Sequence, residues 1–274
     1  MTYIDSLYSL EGQSAVVTGG TGVLGRRMAK ALALAGARVA VLGRRSAVAE
    51  EVAADIGQAG GKAMALSADV LDRASLAFAR EHLLKEWGSL HILVNAAGGN
   101  IPSATLAEVD DLFAMPETAF REVLDLNLVG TLLPSLVFGE AIVQSGGGSI
   151  VNISSMSATR PLTRVGGYGA AKAAVENLTK WLAVELGRRH GDKIRVNAIA
   201  PGFFVGDQNR GLLLEPDGSL TERGRSIIEH TPAHRFGEPD ELAAALIFLC
   251  APGATFVNGI VVTIDGGFGA FGGV

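Results

Sequence analysis

Tyr168 and Lys172 stand four residues apart. On a helix that spacing puts a phenol and an ammonium on one face, one turn apart. A free phenol titrates near pH 10, about three units too high to act as a base at neutrality. A neighbouring cation stabilises the phenolate and draws that value down. Upstream, Ser154-Ser155-Met156-Ser157 follows the apolar run Ile150-Val151-Asn152-Ile153. A hydroxyl at the end of such a strand can hold a carbonyl oxygen beside the phenol.

A second cluster near the N-terminus has different chemistry. Gly20-Thr21-Gly22-Val23-Leu24-Gly25 reads G-x-G-x-x-G and lies between a first apolar strand and a first helix. Glycines there permit a tight turn and bring a pyrophosphate to the helix N-terminus. The second strand ends in Leu42-Gly43-Arg44-Arg45, with no carboxylate of the kind that accepts from the ribose hydroxyls of NAD. Arg44 is either a partner for a 2′-phosphate or a solvated charge. The pattern weakly favours NADP over NAD. Asp69-Val70 follows the third strand, where an adenine edge would lie. Asn95-Ala96-Ala97-Gly98 follows the fourth, its small residues admitting a cofactor and Asn95 also suited to tying strand ends together.

The elements that must position these groups alternate along the chain. Strands are expected at Ala15–Val17, Val39–Leu42, Ala63–Ser67, Ile92–Val94, Ser149–Ile153, Ile194–Ile199 and Ile260–Ile264, and helices at Val23–Ala35, Ala47–Ala59, Ser75–Trp87, about Pro116–Ser145, Gly167–Arg189 and Pro239–Cys250. Apolar strands joined by helical crossovers give an α/β, doubly wound, seven-stranded parallel sheet, a Rossmann fold. No Pro- or Gly-rich linker divides residues 1–274, so a single domain is expected. Residues 202–233 break the rhythm and read as an insertion over the site. It contains Gln208, Asn209 and Arg210, whose amides and guanidinium suit hydroxyls and a carboxylate. Asn100 and Met156, just past the fourth and fifth strands, are further candidate substrate contacts.

Composition bounds the rest. Apolar residues make up 48% of 274, the net charge is −5, and there is one cysteine, Cys250. That excludes a disordered chain, a basic nucleic-acid binder and an intrachain disulfide. No histidine spacing suggests a metal. The N-terminus lacks the pattern of a signal peptide, and no apolar run approaches a membrane span, so a cytoplasmic location is expected.

The chain resembles the short-chain dehydrogenase/reductase family. The resemblance rests on Thr18 to Gly25, Asn95-Ala96-Ala97-Gly98, Ile153-Ser154-Ser155, Tyr168 with Lys172, and Arg195 to Gly202. It implies a nicotinamide cofactor, NAD(P), contacted by Gly19, Thr21, Val23, Leu24, Arg44, Asp69, Val70, Asn95, Ala96, Gly98, Pro201 and Gly202. It implies that Tyr168 exchanges the proton, Lys172 lowers its pKa and holds the nicotinamide ribose, Ser155 orients the carbonyl, and Asn127 supports Lys172 through a water. The family's middle glycine falls at Val23, while here Gly22 precedes it. Pro201-Gly202-Phe203-Phe204, Gln208-Asn209-Arg210, His230-Thr231-Pro232, Arg235-Phe236-Gly237 and the tail from Asp265 resemble the D-mannonate oxidoreductase (fructuronate reductase-like) branch. That branch implies a sugar-acid substrate, and the family implies a homotetramer. Other polyols, ketones or 3-ketoacyl substrates, and a non-catalytic cofactor-binding sensor, are the competing readings.

Overall fold

The computed structural model describes residues 2–107, 109–206 and 209–273. In chain order the principal elements are α1 (Tyr3–Tyr8), β1 (Ser14–Thr18), α2 (Val23–Leu34), β2 (Arg38–Gly43), α3 (Ser46–Gln58), β3 (Lys62–Ser67), α4 (Arg73–Trp87) and β4 (Ile92–Asn95). Then follow α5 (Glu117–Leu124), α6 (Gly130–Gln144), β5 (Gly148–Ile153), α7 (Gly166–His190), β6 (Ile194–Pro201), α8 (Arg210–Leu213), α9 (Glu222–Glu229), α10 (Ala243–Cys250) and β7 (Val261–Ile264). The expected seven strands form one parallel sheet in the order β3-β2-β1-β4-β5-β6-β7.

Strand alternation feeds two cores. Val17, Val41, Val94 and Val151 pack under α2, α3 and α10, through Met28, Leu32, Val52 and Leu246. Val16, Ala40, Leu93 and Ile150 face the opposite way, under α4, α6 and α7, through Leu83, Phe138, Ile142 and Leu182. Both faces of the central strands are buried, which is why their apolar residues run consecutively rather than alternating.

The helix boundaries report local chemistry. Asp72 caps α4 by accepting from Ala74 N at 2.9 Å, and α4 stops at Gly88 in a left-handed conformation, φ 76. The short α1 was not expected from the sequence, though Thr2 and Asp5 form a reciprocal capping box there. The long helix expected over Pro116–Ser145 is present but interrupted by a π-helical turn at Asp125–Val129.

That segment, Glu117–Gln144, corrects one sequence reading. It is long and apolar enough to cross a membrane by length and composition, and 56% of its apolar window is buried inside the fold. Asn127, Thr131, Ser135 and Glu140 interrupt the apolar letters and hide the run. In the structure Thr131 and Ser135 return their hydroxyls to the carbonyls four residues back, both at 2.7 Å. Core burial in an α/β sandwich accounts for its composition.

The chain order reverses between β1 and β4. At such a point the loops after two adjacent strands diverge to opposite faces and leave a crevice at their carboxyl ends. The segment after β6 carries α8 and α9 and closes with bridges Phe204–Gly237 and Leu214–Leu220.

Candidate active site

The crevice is lined by backbone. Gly22 precedes α2 with no side-chain cap, and its N–H donates to Gly19 O at 3.0 Å. The helix begins at Val23, so Gly22 serves as the cap residue and the shifted glycine leaves the turn intact. The first N–H groups of α2 therefore have no partner from a capping side chain and face the strand ends. A Cβ at Gly25 would lie 2.1 Å from Gly19 O, so only hydrogen fits there. Thr18 Oγ1 accepts from Ala97 N at 3.2 Å, drawing the turn after β1 against the loop after β4. A cradle of free amides, walled by glycine and alanine, fits the diphosphate of a dinucleotide.

Around it stand the other expected contacts. Thr21 packs its side chain against Gly43 at the end of β2. Leu24 lies partly buried against the core. Arg44 is exposed just past β2 and belongs to none of the ion pairs among the described residues. Asp69 accepts from Leu71 N at 2.9 Å, and buried Val70 packs on Gly130. Asn95 donates to Ser135 Oγ and Asn152 Oδ1, both at 2.9 Å, tying β4 to α6 and β5, while its own Oδ1 is buried without a partner among the described residues. Ala96 leads to Gly98, and Pro201 ends β6, with Gly202 N donating to Ile264 O at 2.8 Å.

The reactive side chains converge next to this crevice. Ser155 is 8% exposed and its hydroxyl accepts from Ser157 N at 3.2 Å, fixing the turn Met156–Ala158. Tyr168, in the first turn of α7, is half-buried against Ala104, Ala119 and Val123, with the Ser155 hydroxyl near enough to act on its phenol. Lys172 Nζ, one turn on, lies 5.6 Å from the Tyr168 ring centroid and donates to Ile153 O at 2.8 Å. Asn127, fully buried in the π-helical turn, grips Gly99 twice: its Nδ2 donates to Gly99 O at 2.8 Å and its Oδ1 accepts from Gly99 N at 3.0 Å. A Cβ at Gly98 would fall 2.6 Å from Asn127 Oδ1 and 3.2 Å from Lys172 Nζ, so the bare backbone of Gly98 separates the two side chains.

The charges are tuned by burial. The Lys172 ammonium is pushed down to about 8 by loss of solvent. Burial also raises the Tyr168 phenol above 10, and the Ser155 hydrogen bond opposes that rise. In the protein alone the phenol is thus held protonated, and Ser155 rather than Lys172 is the group that pulls it down.

The expected substrate contacts divide. Met156 is buried beside Ser155. Asn100 donates to Thr105 Oγ1 and keeps its Oδ1 buried without a partner. Asn209 turns inward, its Oδ1 accepting from Gly206 N at 2.8 Å and its Nδ2 donating to Phe204 O at 2.9 Å, so it shapes the loop. Arg210 opens α8 on the surface. Gln208 lies outside the described residues. Sequence reasoning missed Arg160 and Arg164, which flank the site on the loop before α7. Arg160 Nε donates to Gly269 O, and Arg164 Nε to Leu106 O, at 2.8 and 2.7 Å. Nothing in the local spacing signals either contact.

A switch-point crevice lined by unpaired helix amides, with Ser, Tyr and Lys beside it, defines a dinucleotide-dependent oxidoreductase. The comparisons place it more narrowly. Residues 21–269 match the family model described as Enoyl-(Acyl carrier protein) reductase. The uncharacterized oxidoreductase UxuB of Bacillus subtilis (strain 168) is 44% identical over 97% of this chain and 98% of that protein. A solved Haemophilus influenza chain, provisionally named a D-mannonate oxidoreductase and holding NAD, is 41% identical, with a TM-score of 0.91 over 99% and 100% of the two chains. A gluconate 5-dehydrogenase from Burkholderia cenocepacia J2315, in complex with NADP and tartrate, is 29% identical, with a TM-score of 0.87 over 98% and 99%. The chain belongs to the short-chain dehydrogenase/reductase family, and it is an NAD(P)-dependent oxidoreductase of CH–OH groups.

Proposed function

We propose that the protein interconverts a ketone and a secondary alcohol on a sugar acid of the D-fructuronate/D-mannonate type. The observation that carries this is the Ser155–Tyr168–Lys172 cluster beside the glycine-lined crevice. A bound nicotinamide supplies or accepts the hydride. Tyr168 passes its phenolic proton to the carbonyl oxygen during reduction and takes it back during oxidation. Ser155 holds that oxygen and bonds the phenol. Lys172, buried and held by Ile153 O one turn from the phenol, places its ammonium beside the ring and the nicotinamide ribose. Asn127 fixes the backbone at Gly99 and so the corner against which Lys172 packs.

The acid is favoured over a plain polyol by the names of the two similar solved chains, a D-mannonate and a gluconate enzyme, and by the cationic side chains around the mouth. NADP is weakly favoured, because Arg44 is exposed and unpaired where an acid would reject the 2′-phosphate. The segment 202–233 serves as the substrate cover. A homotetramer in the cytoplasm completes the reading, with α5–α6 and α7 as the contact faces.

The test is absorbance at the reduced nicotinamide band, with NADH and NADPH each paired with keto sugar acids. Tyr168→Phe should cut turnover by about 10²- to 10⁴-fold, the contribution of one acid–base group, while cofactor affinity holds within about threefold. Full turnover by the variant would end the assignment.

A further inference from the structure

Beyond the reacting groups, the mouth of the site holds a pocket of about 310 Å³ formed by Arg160, Pro161, Leu162, His230, Phe268 and Phe271. Three separate segments build it: the loop after β5, the end of α9 and the C-terminal tail. It opens on the same sheet edge as Ser155, because Arg160 N donates to Met156 O at 3.0 Å and so follows directly on the Ser155 turn.

The lining is cationic and aromatic, with no carboxylate among the described residues that line it. Arg160 forms no ion pair among the described residues. Its Nε is taken by Gly269 O at 2.8 Å, which fixes the plane of the guanidinium and leaves its terminal nitrogens with no protein acceptor among the described residues. His230 Nδ1 lies 2.8 Å from Ser226 O. A carbonyl only accepts, so Nδ1 carries the hydrogen, and in that tautomer Nε2 is turned to the pocket as an acceptor for a hydroxyl. Phe268 is braced edge-on by Phe203, centroids 5.1 Å apart. The tail itself is pinned: Asp265 accepts from Gly267 N at 2.9 Å and from Gly269 N at 2.7 Å.

We propose that Arg160 is the carboxylate-binding residue of this enzyme, anchoring the acid end of the substrate in the Arg160–His230–Phe268 pocket, with His230 accepting from a neighbouring hydroxyl, while the ketone reaches Ser155 and Tyr168. This rests on the sugar-acid reading above. It assigns to Arg160 the part that sequence spacing gave to Arg210.

The test compares D-fructuronate with D-fructose, which carries a hydroxymethyl in place of the carboxylate, in wild type, Arg160→Gln and Arg160→Lys. Glutamine can still donate to Gly269 O but carries no charge. The acid-over-neutral ratio of kcat/KM should fall about 30-fold in Arg160→Gln, the scale of one charge-assisted hydrogen bond, and recover in part in Arg160→Lys. Calorimetric titration of tartrate into the protein with NADP should weaken about tenfold or more in Arg160→Gln. An unchanged ratio with unchanged tartrate affinity overturns the subsite. A wild type without acid preference whose tartrate binding still depends on Arg160 sinks the sugar-acid reading and leaves the subsite standing. A wild-type acid preference that survives in Arg160→Gln does the reverse.

Discussion

The glycine-lined crevice and the arginine-lined mouth beside it are built by opposite means. Around the crevice the polar side chains are buried and bonded to one another: Ser135, Asn95, Asn152 and Thr179 form a chain of hydrogen bonds at 2.9 Å across β4 and β5. What is left free there, apart from Asn95 Oδ1, is backbone. At the mouth the order is inverted. Long arginines, exposed or half-buried, reach across the chain, Arg160 to Gly269 O, Arg164 to Leu106 O and Arg223 to Thr163. Backbone amides can hold a phosphate whatever side chains surround them, whereas side chains on surface loops can be exchanged without touching the core.

The contrast breaks most visibly through a paired glycine experiment. Gly25→Ala places a methyl 2.1 Å from Gly19 O, against backbone that cannot step aside. Overpacking of this kind costs about 1–3 kcal/mol, and cofactor affinity should fall at least tenfold. Gly211→Ala, in α8 of the mouth, meets nothing within 4 Å. There the change should gain about 0.5–1 kcal/mol, from helix propensity and a less flexible unfolded chain. Urea melts of both variants, with cofactor titration, read the difference. Equal effects would mean that the two regions are packed alike.

Lys172 marks the boundary between the regions and offers a pH handle. Its ammonium is pushed from 10.5 to about 8 in the fold, a penalty on the charged form of about 3 kcal/mol. At pH below 8 both folded and unfolded chains carry the proton, and the full penalty applies. Between about 8 and 10.5 the folded chain has lost the proton while the unfolded chain keeps it, so this group makes stability rise with pH. Lys172→Met removes the charge but orphans Ile153 O, so its net gain near pH 7 should be about 1–2 kcal/mol. That advantage should shrink towards pH 10, followed by cofactor-free melts. A gap independent of pH would mean that the ammonium is solvated.

Legibility in the sequence follows the same division. The strands were readable because both faces of the sheet are buried, so Ala15–Val17 or Ile92–Val94 could be nothing else. The turn after β1 and the Tyr168–Lys172 pair were readable because each motif is local in the chain, though the contacts that fix them, Thr18 to Ala97 and Lys172 to Ile153, are not. The π-helical turn at Asp125–Val129 was not, since no spacing announces it. It coincides with Asn127, whose side chain bonds Gly99 from 28 residues away. Arg160 was hidden for the same reason, its acceptor lying 109 residues on. Asn209 misled in the other direction: an amide in a lid suggested a ligand contact, and the loop consumes both ends of it.

The smallest effect tests whether the mouth stores strain that the crevice avoids. Arg164 adopts φ 75, a conformation glycine favours, four residues before Tyr168. It is held by a reciprocal pair: Leu106 N donates to Arg164 O at 3.0 Å, and Arg164 Nε to Leu106 O at 2.7 Å. A left-handed L-residue costs about 1–2 kcal/mol, roughly what one hydrogen bond returns. Arg164→Ala loses the side-chain bond and keeps the strained backbone. Arg164→Gly loses the same bond and sheds the strain, less about 0.5–1 kcal/mol for the looser unfolded chain. The glycine variant should therefore be the more stable of the two by up to about 1 kcal/mol, near 2–4 °C in melting temperature for a domain of this size. Equal melting would place the strain elsewhere. A glycine variant with wild-type stability but depressed kcat would show that the bond to Leu106 serves to seat Tyr168, through the loop that leads into α7.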